Sequence, residues 1–138
     1  MTIYAHTDGA SRGNPGESGI GIVLTDEDGR VIYEQSTYIG KATNNIAEYE
    51  AFLACLRKAR ELRCDRLVVY SDSQLMVRQL LGKYRVKDMN LQRYCAEASE
   101  LLKTAPFKLE IIHVEREKNA HADLLANTAI DKKELPKF

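Results

Sequence analysis

Residues 45–72, NIAEYEAFLACLRKARELRCDRLVVYSD, decide the fold, because the spacing of apolar residues changes within them. From Asn45 to Leu62 the apolar residues Ile46, Tyr49, Phe52, Leu53, Leu56 and Ala59 recur at intervals of three and four, which predicts an amphipathic helix. Arg57, Lys58 and Arg60 lie toward its C-terminal half, where positive charge suits the helix dipole. Arg66 to Ser71 (RLVVYS) is then a short, continuous apolar run, the pattern of a strand buried on both faces in a parallel sheet.

On the N-terminal side of this stretch the chain reads as strands: Thr2 to Thr7, Gly19 to Thr25 and Arg30 to Tyr38. Turn residues fill the first connection, DGASRGNPGESG, and DEDG makes a hairpin turn between the second and third strands. On the C-terminal side come a short helix from Ser73 to Leu81, a helix from Leu91 to Lys103, a strand from Phe107 to Val114 and a helix from Asn119 to Lys132. The order β-β-β-α-β-α-α-β-α implies an α/β fold with a mixed sheet and helices on its faces. The length of 138 residues fits one domain, residues 1–138.

Composition narrows the function classes. Hydrophobic residues make up 44% and charged residues 29%, ordinary values for a soluble globular protein. No apolar run approaches the ~20 residues of a membrane-spanning helix, and MTIYAHTDGA lacks the pattern of a signal peptide, so a cytoplasmic location is expected. Cys55, Cys64 and Cys95 form no CxxC pair, which points to reduced thiols and away from a zinc site or a disulfide framework. With 20 basic and 20 acidic residues the net charge is zero, which does not advertise nucleic-acid binding. Any such function has to come from how the charge is distributed, and from cations that the residue count omits. GNPGESGIG matches neither GxGxxG nor GxxxxGK[ST] and lies between two strands, so it is not a nucleotide-cradling loop.

Four carboxylates stand out, although each has an ordinary explanation. Asp8, in TDGAS, is placed like a turn residue at a strand end, and Asp72 like a helix N-cap. Glu48 completes Asn-Ile-Ala-Glu, a possible capping box on Asn45. Asp123 is flanked by Ala122, Leu124, Leu125 and Ala126, where a carboxylate is costly unless paired or holding a cation. Together they mean more. Asp8 and Asp72 are expected at the C-terminal ends of neighbouring parallel strands, the end at which open α/β sheets bind ligands. Four converging carboxylates repel one another and raise one another's pKa, and a divalent cation resolves the repulsion. An all-oxygen set selects hard ions such as Mg²⁺ or Mn²⁺.

The blocks TDGASRGNPG (Thr7–Gly16), TNNIAEYEA (Thr43–Ala51), SDSQLMV (Ser71–Val77) and NAHADLLA (Asn119–Ala126) resemble, in order and spacing, those of ribonuclease H, type 1. The resemblance runs over essentially the whole chain. It implies a five-stranded mixed sheet with helices on both faces, and an active site of Asp8, Glu48, Asp72 and Asp123 around two Mg²⁺ ions. It implies cleavage of the RNA strand of an RNA–DNA hybrid to 5′-phosphate and 3′-hydroxyl ends. Asn14, Asn44, Asn45 and Gln74 match residues that contact the hybrid's minor groove, with Ser11 beside them, and Lys41 and Thr43 match part of a pocket for a DNA phosphate. Neutral amides suit that task, because they donate and accept at 2′-hydroxyls without reading sequence. No obligatory protein partner is evident, and a monomer is expected.

The chain departs from the family pattern in four places. Only about ten residues, LGKYRVKDMN, separate the second and third helices, so the basic protrusion of many members is missing; Lys83, Arg85, Lys87 and Tyr84 are what remains. Hybrid binding should then be weaker and more salt-sensitive per contact. The loop before Asp123, VEREKN, has no histidine, and Arg116 is the nearest stand-in as an auxiliary group, with His113 and His121 read as structural. Asp88 stands where a phosphate-pocket asparagine is common, so either its carboxylate points away and Asn90 serves or the pocket is weakened. With the first strand starting at once, no extra N-terminal hybrid-binding domain is expected. Two other readings compete with a hybrid-cleaving enzyme: a catalytically silent hybrid-binding module, and a related nuclease acting on double-stranded RNA or on DNA. The presence of all four acids argues against the first.

Overall fold

The computed structural model describes residues 1–82 and 85–134. In chain order the elements are β1 (Thr2–Gly13), β2 (Gly16–Thr25), β3 (Val31–Ala42), α1 (Asn44–Leu62), β4 (Arg66–Ser71), α2 (Gln74–Leu80), α3 (Met89–Lys103), β5 (Lys108–His113) and α4 (Ala120–Glu134). A 3-10 turn, Arg116–Asn119, leads into α4. The expected order is recovered. The sheet runs β3-β2-β1-β4-β5, with β2 antiparallel to β1 and β3, and β4 parallel to β1 and β5.

The glycine-rich connection is the expected tight return that lets the chain pair back on itself, but the paired strands run much further into it than expected. β1 continues to Gly13 and β2 begins at Gly16, with Asp8 opposite Gly21, Gly9 opposite Ile20 and Ser11 opposite Ser18. Glycine and serine are poor strand formers by themselves, but here ladder pairing and helix packing override local preference. A β-carbon on Gly9 would lie 2.2 Å from the Ala47 carbonyl carbon of α1, and one on Gly21 would lie 2.0 Å from the Ala122 oxygen of α4. The glycines are therefore places where helix backbones press onto the sheet.

These two contacts fall on opposite faces, because side chains alternate along a strand. On one face Ile3, Ala5, Ile20, Ile22 and Leu24 pack against Tyr49, Phe52, Leu53 and Leu56 of α1, with Leu91 and Ala98 of α3 behind them. On the other, α4 lies across β2, with Ala122, Ala126, Ala129 and Ile130 buried. Burying this apolar surface at roughly 25 cal/mol per Å² supplies the main force holding the layers together.

Two expected caps are reassigned and a third cap is found at Asp88. Thr43, not Asn45, caps α1, its hydroxyl accepting from the Ile46 N–H at 3.2 Å, and Glu48 is thereby free to turn inward. Ser73, not Asp72, caps α2 and accepts from the Met76 N–H at 3.3 Å. Asp88 caps α3, its carboxylate accepting from Asn90 and Leu91 N–H groups at 2.8 and 3.1 Å. Asp88 thus faces its own helix, and two backbone donors temper its charge. The turn after β2 is the expected hairpin, with the Asp26 carboxylate accepting from the Asp28 and Arg30 N–H groups. Cys55, Cys64 and Cys95 are free thiols.

Only residues 81–88 separate α2 from α3, and 85–88 carry no helix, in keeping with a missing protrusion. Of the small basic group there, Arg85 and Lys87 are exposed, while Lys83 and Tyr84 lie outside the described residues. Among the described residues no helix is long and apolar enough to cross a membrane.

Replacing Gly21 by alanine forces α4 off the sheet. The expected cost is at least about 1–3 kcal/mol, the usual penalty for overpacking. Urea unfolding measures it, and a change below about 0.5 kcal/mol would remove Gly21 from this account.

Candidate active site

Parallel pairing between β1 and β4 ends at the rung Thr7–Ser71. Beyond it β1 continues with β2 alone, and β4 turns away into α2. The first residue past that rung on each strand is an aspartate, Asp8 on β1 and Asp72 after β4. Asp72 therefore sits at a strand end as expected, whereas Asp8 lies inside a longer β1, at the point where its parallel neighbour departs.

Glu48 is in the second turn of α1, on the side pressed against Gly9. Its Oε1 accepts from the Gly9 N–H at 2.5 Å. Asp8 is 5% and Glu48 3% exposed, so both are nearly dry. Asp8, Glu48 and Asp72 each bring an oxygen to within 4.8 Å of the others. Asp123, in the first turn of α4, stands outside that tightest set. It lines the same cavity of about 300 Å³ as the other three, together with Ser11, Asn44, Ser73, Arg116 and Asn127.

Burial raises the pKa of Asp8 most, and the hydrogen bond and charge of Glu48, with the charge of Asp72, add to it. Burial also raises Glu48, partly offset by hydrogen bonds involving Asp8, the Gly9 N–H and Ser71. The Glu48 Oε2 is buried without a hydrogen-bond partner. An ionised carboxylate oxygen is not left dry and unpaired without cost. The donor set is all oxygen, and one buried oxygen lacks a partner, so these residues fit a hard divalent cation.

Arg116 approaches the cavity from its rim. Its Nη2 is 4.0 Å from Asp123 Oδ1 and its side chain is 78% exposed, so it offsets Asp123 more than the buried trio. None of the lining residues is a histidine. His121 instead faces Glu34 at 3.3 Å, and His113 ends β5.

The other expected site residues divide. Ser11 and Asn44 line the cavity. Ser11 Oγ also donates to the Ala42 carbonyl at 2.8 Å, tying the hairpin to the end of β3. Asn14, near the hairpin tip, accepts from the Asn44 N–H at 3.1 Å. Lys41, Thr43, Asn45 and Gln74 do not line it. Lys41 is exposed near the end of β3, Thr43 is spent as a cap, and Asn45 and Gln74 lie in the first turns of α1 and α2.

Two residues without an expected role belong to the site. Asn127 Nδ2 donates to the Asp123 carbonyl at 3.0 Å and to its Oδ1 at 3.2 Å. Its i+4 spacing from Asp123 on one helix was the available signal. Asn119, 1% exposed, donates through Nδ2 to the Thr7 carbonyl at 2.8 Å and to Asp72 Oδ1 at 3.4 Å. Nothing in its spacing marks that second contact.

Comparison with known proteins places this geometry. The family described as reverse transcriptase-like matches residues 6–129. Ribonuclease HI of Halobacterium salinarum is 44% identical over 129 residues, covering 94% of this chain; the chain spans 64% of that protein's length. The crystal structure of RNase H1 from the same archaeon superposes with a TM-score of 0.91 at 42% identity, covering 96% of this chain and 99% of that one. LC11-RNase H1, crystallised in complex with an RNA/DNA hybrid, gives a TM-score of 0.90 at 43% identity, covering 95% of this chain and 98% of that one. An acid-lined gap where two parallel strands part, on a sheet and helix arrangement shared over nearly the full length of the two crystal structures, shows that this chain belongs to the ribonuclease H family, in its type 1 branch.

Proposed function

We propose that the chain is an endoribonuclease that hydrolyses the RNA strand of RNA–DNA hybrids with Mg²⁺ held by Asp8, Glu48, Asp72 and Asp123. The observation that carries this reading is the approach of Asp8, Glu48 and Asp72 oxygens to within 4.8 Å of one another around a buried, unpartnered Glu48 Oε2. The relative crystallised with an RNA/DNA hybrid supports the substrate class.

Asp8, Glu48, Asp72 and Asp123 would hold two Mg²⁺ ions, which when bound would supply Lewis-acid polarisation of the phosphodiester. The chain's residues hold and orient. The Gly9 N–H fixes Glu48, Asn119 fixes Asp72, and Asn127 with Arg116 fixes Asp123. Water attacks phosphorus and the P–O3′ bond breaks; the attacking water gives up one proton to solvent and the departing 3′-oxygen takes one up, leaving 5′-phosphate and 3′-hydroxyl ends. Asn14, Asn44, Asn45 and Gln74, with Ser11, offer neutral donors and acceptors to ribose 2′-hydroxyls and base edges. Lys41, close to Thr43, offers positive charge to a DNA phosphate. The strand to be cut is chosen by its 2′-hydroxyls, its partner by phosphate alone.

Incubation of the chain with Mg²⁺ or Mn²⁺ and labelled hybrid, double-stranded RNA or duplex DNA tests the substrate. The hybrid's RNA strand should be cut fastest; binding without cutting, or preference for another duplex, contradicts the reading. Asp72→Asn should lower the hybrid rate by on the order of 10³-fold or more, as loss of several kcal/mol of charge stabilisation requires. Wild-type turnover in that variant would refute the assignment. Arg116→Ala should slow cleavage by no more than about fivefold, because an exposed pair is worth at most about 1 kcal/mol; an unchanged rate removes Arg116 from the mechanism.

Stability without metal follows from the raised carboxyl groups. Between the ordinary carboxylate range and their raised values, the folded protein holds protons that the unfolded chain has released. Metal-free stability therefore rises as pH falls from 8 toward 6. In chelator, Tm should be higher at pH 6 than at pH 8, Mg²⁺ should flatten the difference, and Asp8→Asn should melt above wild type at pH 8. A wild-type Tm that falls over that interval, or an Asp8→Asn variant less stable than wild type, speaks against carboxylate crowding.

A further inference from the structure

Asn119 is held where a stability argument alone would not put it. It is 1% exposed at the end of the 3-10 turn, and its Oδ1 is buried with no hydrogen-bond partner. A dry, unpaired carbonyl destabilises a fold, so the amide's value has to lie in its Nδ2. That nitrogen reaches two acceptors. One is the carbonyl of Thr7, on the last rung of the β1–β4 pairing and one residue before Asp8. The other is Asp72 Oδ1, just past the end of β4. On the far side of β4 the Ser71 carbonyl already accepts from the Val114 N–H of the β5 end at 2.9 Å. Asn119 also immediately precedes α4 and lies four residues before Asp123. One side chain therefore touches or adjoins the supports of three acids that come from three separate elements.

From this juxtaposition, one buried amide bridging the Thr7 carbonyl and the Asp72 carboxylate at the root of α4, we infer that Asn119 is a positioning residue that sets the spacing of Asp8, Asp72 and Asp123 for cation binding. The inference rests on the metal-dependent reading of the site given above. A donor on Asp72 Oδ1 orients that carboxylate and leaves its other oxygen to turn toward Asp8 and Glu48. Residues that orient metal ligands in this way typically change metal affinity or activity by about 10–100-fold when removed.

The test measures Mn²⁺ binding to the free protein by isothermal titration calorimetry, for wild type, Asn119→Ala and the milder Asn119→Ser. Val68→Ala, buried in β4 among core residues, serves as a control for lost stability. All are measured well below their melting temperatures. Both Asn119 variants should bind Mn²⁺ at least about tenfold more weakly and lose about 10–100-fold in kcat on hybrid, with KM and hybrid binding in chelator unchanged. Val68→Ala should keep wild-type Mn²⁺ affinity within about twofold. Mn²⁺ affinity retained in Asn119→Ser, or lost equally in Val68→Ala, overturns the inference. If wild type binds Mn²⁺ and cuts no hybrid while the Asn119 variants still bind it weakly, the positioning role stands and the proposed substrate falls. If wild type cuts hybrid and the variants bind Mn²⁺ normally, only the positioning role fails.

Discussion

Mutual repulsion of carboxylates packed into a nearly dry space governs this molecule. Asp8 and Glu48 are almost fully buried, Asp72 is within reach of both, and a Glu48 oxygen has no partner. Protein interiors do not keep like charges together without a counter-charge. Among the described residues that line the cavity, Arg116 is the cation, and it faces Asp123, which is less buried than Asp8 and Glu48. The fold therefore works against its own stability at this point, as a site built to bind a cation does.

The close approach that creates the repulsion depends on what is missing from two side chains. Gly9 lets α1 settle far enough onto the sheet for its backbone N–H to meet Glu48. Gly21, directly opposite Asp8 in the ladder, lets α4 come down on the other face and carry Asp123 to the same cavity. Parting of β1 and β4 after the Thr7–Ser71 rung opens the gap that these helices then line. Backbone proximity, strand divergence and acid placement are thus one structural device, in which the apolar core beneath α1 supplies the stability that the site spends.

Much of this was legible in the sequence, for identifiable reasons. The three-and-four spacing from Ile46 to Ala59 and the continuous RLVVYS run fix α1 and β4, and with them the parallel centre of the sheet. All four acids were legible because each lies at an element boundary or beside an apolar helix face. The hairpin from Asp8 to Gly21 was not: Gly, Ser and Asn read as loop, and only the helices packed on either face explain why they are strand. Caps were misassigned by one or two residues, since Thr43 and Asn45, or Asp72 and Ser73, are chemically equivalent candidates until the backbone is known. Asn119 escaped notice because its partners, Thr7 and Asp72, are 112 and 47 positions away. Of the amides and the lysine expected to touch substrate, Asn44 alone lines the cavity, because it is the acids that shape it and the rest are on neighbouring surface.

Anomalous diffraction from a crystal soaked in Mn²⁺ tests the central claim most directly. The account predicts Mn²⁺ peaks between Asp8, Glu48 and Asp72, with Asp123 on the outer side and the Glu48 Oε2 among the ligands. A soaked crystal with no anomalous signal there, and with the carboxyl groups hydrogen-bonded to one another in place of a metal, would contradict it.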